Sequence, residues 1–222
     1  MRRLMRGLIV LAVPLVLIVV VVRLVTLPWF PAWEYHRPGF PEDDYGLQRD
    51  ERLRLARTSI AFLNLPHDVE RLERLQLPDG APAFTERELQ HMRDVKRVYD
   101  GITVVGLLAL VMAISAGYVL HRRDAGAAIW GGLSDGALLT LVVLVVLGVL
   151  MLFAWDAFFT GFHRIFFDSG SWRFRYSDTL IRLFPMRFWR DAGVLVAGAV
   201  AVVAFVLALI GRMWQRHLET QP

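Results

Sequence analysis

The stretch Phe84-Thr-Glu-Arg-Glu-Leu-Gln-His-Met-Arg-Asp-Val-Lys96 begins a charged helix that runs directly into an apolar segment. Within it, Glu88 lies three residues before His91 and Asp94 three residues after, so the three side chains share one helix face. A second histidine, His163, lies just beyond another apolar segment. We expect the two histidines to meet above the membrane and form a reactive centre.

The composition is typical of a membrane protein with sizeable polar loops. Of the 222 residues, 55% are hydrophobic, and the mean hydropathy is +0.44. The absence of cysteine excludes disulfides, thiolate metal sites and a cysteine acyl-enzyme. The net charge of +4 comes from arginine-rich flanks, and we find no nucleic-acid motif. The positive charge therefore indicates contact with anionic lipid headgroups rather than with nucleic acid.

Four apolar segments are long enough to cross a bilayer as helices. The predicted spans are residues 7–26, 101–120, 136–155 and 192–211. The first resembles a signal peptide but lacks a small-x-small cleavage site, so we expect it to be retained. Two segments, residues 27–100 and 156–191, face outward. The sequence thus predicts an all-α polytopic membrane protein, one membrane domain over residues 1–222, in which four transmembrane helices carry an extracytoplasmic helical cap formed by the two outward loops.

Arginines at the span ends predict the orientation. Four spans place both termini and the loop between spans two and three on one side of the membrane. That side carries seven arginines: Arg2, Arg3, Arg6, Arg122, Arg123, Arg212 and Arg216. Positive residues favour the cytoplasmic side, although the second outward loop also holds six arginines. We therefore predict a cytoplasmic-membrane protein with cytoplasmic termini and a site on the extracytoplasmic face.

Local patterns in the outward loops predict further elements. Thr85-x-x-Glu88 is a capping box, which gives Glu88 a structural role that competes with a catalytic one. The apolar spacing in residues 51–63 predicts a helix. Aromatic residues from Phe158 to Phe166 predict that the helix of the third span continues outward, and Trp172, Phe174 and Tyr176 alternate as in a short strand.

The two histidines have sequence surroundings that suit acid–base chemistry. Glu88 and Asp94 are placed to orient the ring of His91 and raise its basicity, whereas the aromatic neighbours of His163 should lower its pKa. Such a pair can supply one base and one acid. The alternatives are two interfacial histidines without a chemical role, and a zinc site formed by both histidines with Glu88 or Asp94, although His-x-x-Asp is a weak metal motif.

Two stretches together resemble the lipoprotein intramolecular transacylases (Lit). The first is residues 84–96, with its Glu-Leu-x-His-Met-x-Asp-Val-Lys core. The second runs from Phe162-His-Arg-Ile-Phe-Phe167 through Trp172 to Asp178-Thr-Leu-Ile-Arg-Leu-Phe-Pro185. The four-span layout is also similar, so the resemblance covers nearly the whole chain. The chain departs from the family pattern at Asp168, where Asn is common, and at residues 175–177, where Pro-x-Thr is replaced.

The resemblance implies a specific reaction. Such enzymes act on bacterial lipoproteins whose N-terminal cysteine carries a diacylglyceryl thioether and a free α-amino group. The sn-2 acyl chain moves to that amine within the same molecule, without a cofactor, at the outer face of the cytoplasmic membrane. On this interpretation the catalytic residues are His91, His163, Asp94 and Glu88, with His91 beside Asp94 as the base and His163 as oxyanion donor or acid. The reverse assignment stays open, as do a membrane metallohydrolase and a non-enzymatic membrane scaffold.

Overall fold

The computed structural model describes residues 1–65, 69–167 and 171–220. These ranges contain nine helices: α1 (Arg2–Val25), α2 (Trp29–Glu34), α3 (Arg49–Asn64), α4 (Glu70–Glu73), α5 (Glu86–His121), α6 (Gly126–Phe153), α7 (Trp155–Phe166), α8 (Thr179–Leu183) and α9 (Met186–Glu219). Within the same ranges, β structure is limited to one bridge between Gln76 and Pro82. The all-α prediction is confirmed, while the family departure at Asp168 lies outside the described residues.

Helices α1, α5, α6 and α9 are long and apolar enough to cross a membrane. They correspond to the four predicted spans. Helix α5 runs from Glu86 to His121, so the charged stretch and the second span form one helix, as the sequence predicts. Helix α6 begins at Gly126, before the predicted span, which starts at residue 136.

The chain forms two compact units. The span unit comprises Met1–Val22, Gly101–Trp155 and Leu195–Pro222, and the loop unit comprises Arg23–Asp100 and Asp156–Val194. Large apolar side chains remain exposed on the spans, among them Leu108 and Val145. An apolar helix surface without a protein neighbour is suited to lipid contact.

Small residues let the helices of the span unit approach closely. Gly136 on α6 lies against α1, where a Cβ atom would meet Val13 Cβ at 2.7 Å and the carbonyl oxygen of Val10 at 2.9 Å. In a membrane, lipid is as apolar as the side chains, so the hydrophobic effect does not drive helices together. Their association depends on close packing, which small residues permit. Beside this contact, the Nη2 of Arg6 lies 2.5 Å from Oδ2 of Asp135, so a charge on α6 is paired with one on α1.

Two arginines connect the separate segments of the loop unit. Arg52, on α3, is 4% exposed and donates hydrogen bonds to the carbonyl oxygens of Pro41 and Arg182. Arg182, on α8, donates to both carboxylate oxygens of Asp43, at 3.0 and 2.9 Å. Burial raises the pKa of Asp43, but the hydrogen bonds from Arg182 and from the Leu47 backbone outweigh it and hold the pKa below its usual value.

Two local predictions are wrong. The third span does not continue as one helix, because Ala154 leaves helical geometry (φ −142°, ψ 42°) and a separate helix, α7, begins at Trp155. The alternating residues Trp172, Phe174 and Tyr176 do not form a strand, since no neighbouring segment pairs with their backbone in the described ranges. Alternating aromatic and polar residues indicate which side chains lie on one side of an extended segment. A β-strand also needs a neighbouring segment with which its backbone can form hydrogen bonds.

The Asp43–Arg182 pair gives a stability prediction. Asp43→Asn leaves the Arg182 guanidinium, whose side chain is 10% exposed, without its counter-charge. Removing one partner of a buried pair costs about 3 kcal/mol. We therefore expect a clearly lower thermal unfolding midpoint for the detergent-solubilised protein.

Glu70→Gln is the matched control. It breaks the Arg74–Glu70 pair, whose side chains are 80% and 62% exposed, and an exposed pair contributes less than about 1 kcal/mol. Equal losses in the two variants would show that the Asp43–Arg182 pair does not stabilise the loop unit.

Candidate active site

Glu88 fixes the start of the helix that carries His91. Its Oε2 accepts hydrogen bonds from the backbone N–H of Thr85 at 2.8 Å and from the Thr85 hydroxyl at 2.9 Å. Its Oε1 accepts a third from the backbone N–H of Leu180, at 2.8 Å, where α8 begins. The capping box is therefore present, and it extends to a second helix. With Glu88 only 1% exposed, both of its oxygens are engaged in holding structure.

His91 lies between aromatic rings. Its ring centroid is 5.1 Å from that of Phe167 and 5.2 Å from that of Phe174. The Nδ1 atom is buried and has no hydrogen-bond partner among the described residues. A buried polar atom without a partner is costly, and such atoms often mark places where a substrate or water binds.

His163 is held by its own helix, α7. Its Nδ1 lies 2.7 Å from the carbonyl oxygen of Phe159, one turn earlier. Because a carbonyl oxygen only accepts, Nδ1 carries the proton in this contact and Nε2 of the neutral ring keeps its lone pair. The ring centroid lies 4.0 Å from that of Phe159 and 4.8 Å from that of Trp172.

Phe167 connects the two histidines. Its ring centroid is 5.1 Å from that of His91 and 5.5 Å from that of His163. The expected proximity of the two histidines is thus present in the loop unit. We call the group that surrounds them the histidine cluster: His91, His163, Phe159, Phe167, Trp172 and Phe174.

Burial lowers the pKa of both imidazoles and so favours their neutral forms. Loss of solvation, with a smaller effect of the neighbouring His163, lowers the pKa of His91 to about 4. Burial also lowers the pKa of His163, although its hydrogen bond to the Phe159 carbonyl opposes that change. The cluster can therefore accept and donate hydrogen bonds, and move a proton, without a permanent charge.

The expectation that carboxylates raise the basicity of His91 is wrong. Asp94 shares the predicted helix face, but its Oδ1 accepts hydrogen bonds from Gln90 and Arg97, each at 3.0 Å. Glu88 points to Thr85 and Leu180. Side chains three residues apart can meet, but a stronger neighbouring donor decides which pairs form.

The same contacts bear on the zinc alternative. Within residues 1–65, 69–167 and 171–220, no group of three or more His, Asp or Glu side chains is arranged to hold a metal ion. Both carboxylates that the sequence offered as ligands are engaged elsewhere. The described part of the chain therefore brings two histidines together but adds no third ligand to them.

Trp172 and Phe174 are the site residues that the sequence did not predict. Trp172 contacts His163, and Phe174 contacts His91. Their alternation in the sequence could have indicated that both side chains line one surface, because alternating residues of an extended segment point to the same side. Arg87 holds this segment, since its guanidinium lies 5.3 Å from the centre of the Phe174 ring and donates to Asp178 at 2.7 Å.

Comparison with known proteins identifies the family. A family model described as "Lipoprotein intramolecular transacylase Lit" matches residues 7–189. The chain belongs to this family. An uncharacterized protein of Aquifex aeolicus (strain VF5) is 33% identical over 219 residues, which is 99% of this chain and 98% of that protein. The resemblance drawn from the two histidine motifs is thereby confirmed.

Solved structures of a Lit protein share the fold of this Lit-family chain. The membrane-integral Lit of Bacillus cereus superimposes with a TM-score of 0.79 at 17% identity, covering 100% of this chain and 99% of that one. The same protein with a histidine-to-alanine substitution gives 0.79 at 18% identity, covering 100% and 96%. The similarity establishes an integral membrane fold with four apolar helices.

The depressed pKa of His91 predicts how the stability of this Lit-family chain depends on pH. The unfolded ring protonates near 6.5, whereas the folded ring stays neutral to about 4. The contribution of His91 to the free energy of unfolding is therefore fully present above pH 6.5. It is lost as the pH falls towards 4, which lowers that free energy by up to about 3 kcal/mol. His91→Phe removes this contribution, so its thermal midpoint should fall less over the same range. Parallel pH curves for the two proteins would contradict the neutral, buried state of His91.

Proposed function

We propose that this Lit-family chain moves the sn-2 acyl chain of a diacylglyceryl-cysteine lipoprotein to the α-amino group of the same cysteine. The product is an N-acylated lyso-form lipoprotein. The observation that carries this proposal is the histidine cluster, in which two neutral imidazoles share Phe167. The reaction suits such a cluster, because it needs one proton moved from nitrogen to oxygen. It needs no cofactor, and the amine and ester already belong to one molecule.

His163 is the proton carrier in this proposal. Its Nδ1–H donates to the Phe159 carbonyl, which leaves Nε2 to accept a proton from the amine. The same hydrogen bond stabilises the imidazolium that forms. His91 was the sequence-based choice for the base, but its pKa of about 4 makes it the weaker one. The geometry therefore supports the reverse assignment.

His91 acts as a neutral hydrogen-bond donor. A ring that stays uncharged at physiological pH can donate an N–H to the ester carbonyl oxygen as negative charge develops there. Glu88 and Asp94 then serve structure: Glu88 caps α5, and Asp94 binds Gln90 and Arg97. The buried, unpartnered Nδ1 of His91 supports a site that is completed by the substrate.

The proposed reaction is an addition followed by an elimination. The neutral amine adds to the ester carbonyl carbon, and the C=O electron pair moves to oxygen, where His91 donates a hydrogen bond. His163 takes the proton from the new ammonium. The bond from the carbonyl carbon to the glyceryl oxygen breaks, and His163 returns the proton to that oxygen. The result is an amide and an alcohol, with both histidines restored.

The proposed substrate and the arginine distribution support a membrane location and an orientation for the chain. The four apolar helices cross the membrane, and their arginine-rich ends at the termini and in the loop between α5 and α6 favour the cytoplasmic side. We propose that the chain lies in the cytoplasmic membrane with both termini cytoplasmic. The histidine cluster then faces the extracytoplasmic side, where the diacylglyceryl lipoprotein reaches it from the phospholipid bilayer.

Expression in a bacterium that has no enzyme of this type tests the reaction. We expect mass spectrometry of lipoprotein N-terminal peptides to show the diacylglyceryl form converted to a lyso N-acylated form of the same mass. The acyl chain then appears on nitrogen in fragment spectra, since the transfer is intramolecular. Cells expressing the His91→Ala, His163→Ala double variant are the control. An unchanged diacylglyceryl form with accumulated protein would refute the proposed reaction.

Glutamine substitutions separate the two histidine roles. Glutamine can donate an N–H but cannot carry a proton at physiological pH. His91→Gln should therefore be at least about tenfold faster than His91→Ala, since a single oxyanion donor raises kcat by about 10²-fold. His163→Gln should be as inactive as His163→Ala, each about 10²–10⁴-fold below the parent. The opposite pattern, with rescue at position 163 alone, would make His91 the proton carrier.

A further inference from the structure

The indole of Trp172 presents a buried donor at the histidine cluster. Its Nε1 is inaccessible to solvent and has no hydrogen-bond partner in the part of the chain that the structure describes. An indole N–H can only donate, and it neither accepts a hydrogen bond nor titrates in the physiological range. A buried tryptophan N–H usually finds a partner, so an unpaired one within a candidate active site calls for an acceptor from the substrate.

Contacts on the ring hold this donor in place. The ring centroid lies 4.8 Å from that of His163 and 6.2 Å from that of Phe159. The guanidinium carbon of the neighbouring Arg173 lies 5.4 Å from the ring centre. A ring fixed by several neighbours keeps its N–H direction, which a donor that stabilises a developing charge requires.

We infer that the Trp172 N–H donates a hydrogen bond to the carbonyl oxygen of the acyl ester and, together with His91, stabilises the oxyanion. This inference rests on the proposed function. When the amine adds, the C=O electron pair moves to oxygen and the indole hydrogen bond strengthens. When the bond to the glyceryl oxygen breaks, the pair returns to the carbonyl. The proton passes through His163, and the indole keeps its own proton throughout.

An acyl ester fits this site for a chemical reason. Its oxygens are acceptors without a proton, so they satisfy a donor such as an indole N–H. The Phe167 and Phe174 rings that contact His91 give the cluster an apolar environment, in which a hydrogen bond to an oxyanion is stronger than in water. The Trp172 ring lies beside His163, on which the proposed proton transfer depends.

Trp172→Phe tests the inference, because it keeps an aromatic ring beside His163 and removes the N–H. We expect kcat for a diacylglyceryl lipopeptide to fall about 10²-fold, with KM changed by less than about threefold. The pH profile should keep its shape because an indole does not titrate. The thermal midpoint should be unchanged or higher, since an unsatisfied buried donor has been removed. Loss of stability in proportion to activity, with a shifted pH profile, would indicate a packing role and overturn the inference.

Two further proteins complete the test. Trp189→Phe, in the same loop unit but packed against Phe184 and Phe188, should keep the parent kcat. Replacing the Trp172 indole by a benzothiophene side chain preserves the shape and removes the N–H, so it should reproduce the loss in kcat even if the phenylalanine variant folds poorly. Parent-like kcat in the benzothiophene protein would overturn the role of Trp172 while leaving the proposed reaction standing. Failure of the parent chain to convert the lipopeptide would refute both.

Discussion

The geometry of the candidate site depends on the hydrogen bonds that the buried carboxylate of Glu88 accepts. Its three hydrogen bonds join the beginning of α5, at Thr85, to the beginning of α8, at Leu180. The first of these helices carries His91, and the segment leading into the second carries Trp172 and Phe174. A carboxylate is tolerated in this buried position because both of its oxygens accept hydrogen bonds, and two of these bonds satisfy backbone N–H groups at helix starts. The site is thus fixed by a residue that does not touch the reacting groups.

Aromatic packing then sets the chemistry of the histidines. An imidazole surrounded by Phe, Trp and a second imidazole loses solvation, so its charged form is disfavoured and its pKa falls. The two rings nevertheless differ, because His163 has a backbone carbonyl for its Nδ1 proton, whereas the Nδ1 of His91 has no partner in the described ranges. The proposed roles of the two rings rest on this difference, which comes from the 2.7 Å contact between His163 Nδ1 and the Phe159 carbonyl oxygen.

Much of this arrangement was predictable. Long apolar segments can be satisfied in a bilayer only as helices, so the four spans followed from composition alone. The capping box at Thr85 and Glu88 was recognisable because its chemistry is local. The partners of Asp94 were not predictable, since Gln90 and Arg97 are as close along the helix as His91 and only the folded rotamers choose among them. The interruption at Ala154 likewise left no sequence signal, because alanine is a good helix former.

The sequence by itself therefore determined the class of protein, the four membrane helices, the family and the two histidines, because each depends on composition or on a motif within a few residues. Tertiary structure alone decided that Glu88 joins two helices, that Phe167 lies between the histidines and that the Trp172 ring packs on His163 with a buried N–H. The contact of Glu88 with Leu180 and the contact of His91 with Phe167 join residues that are 92 and 76 positions apart in the chain. Burial and hydrogen-bond direction at such distances depend on packing, and packing exists only in the folded chain.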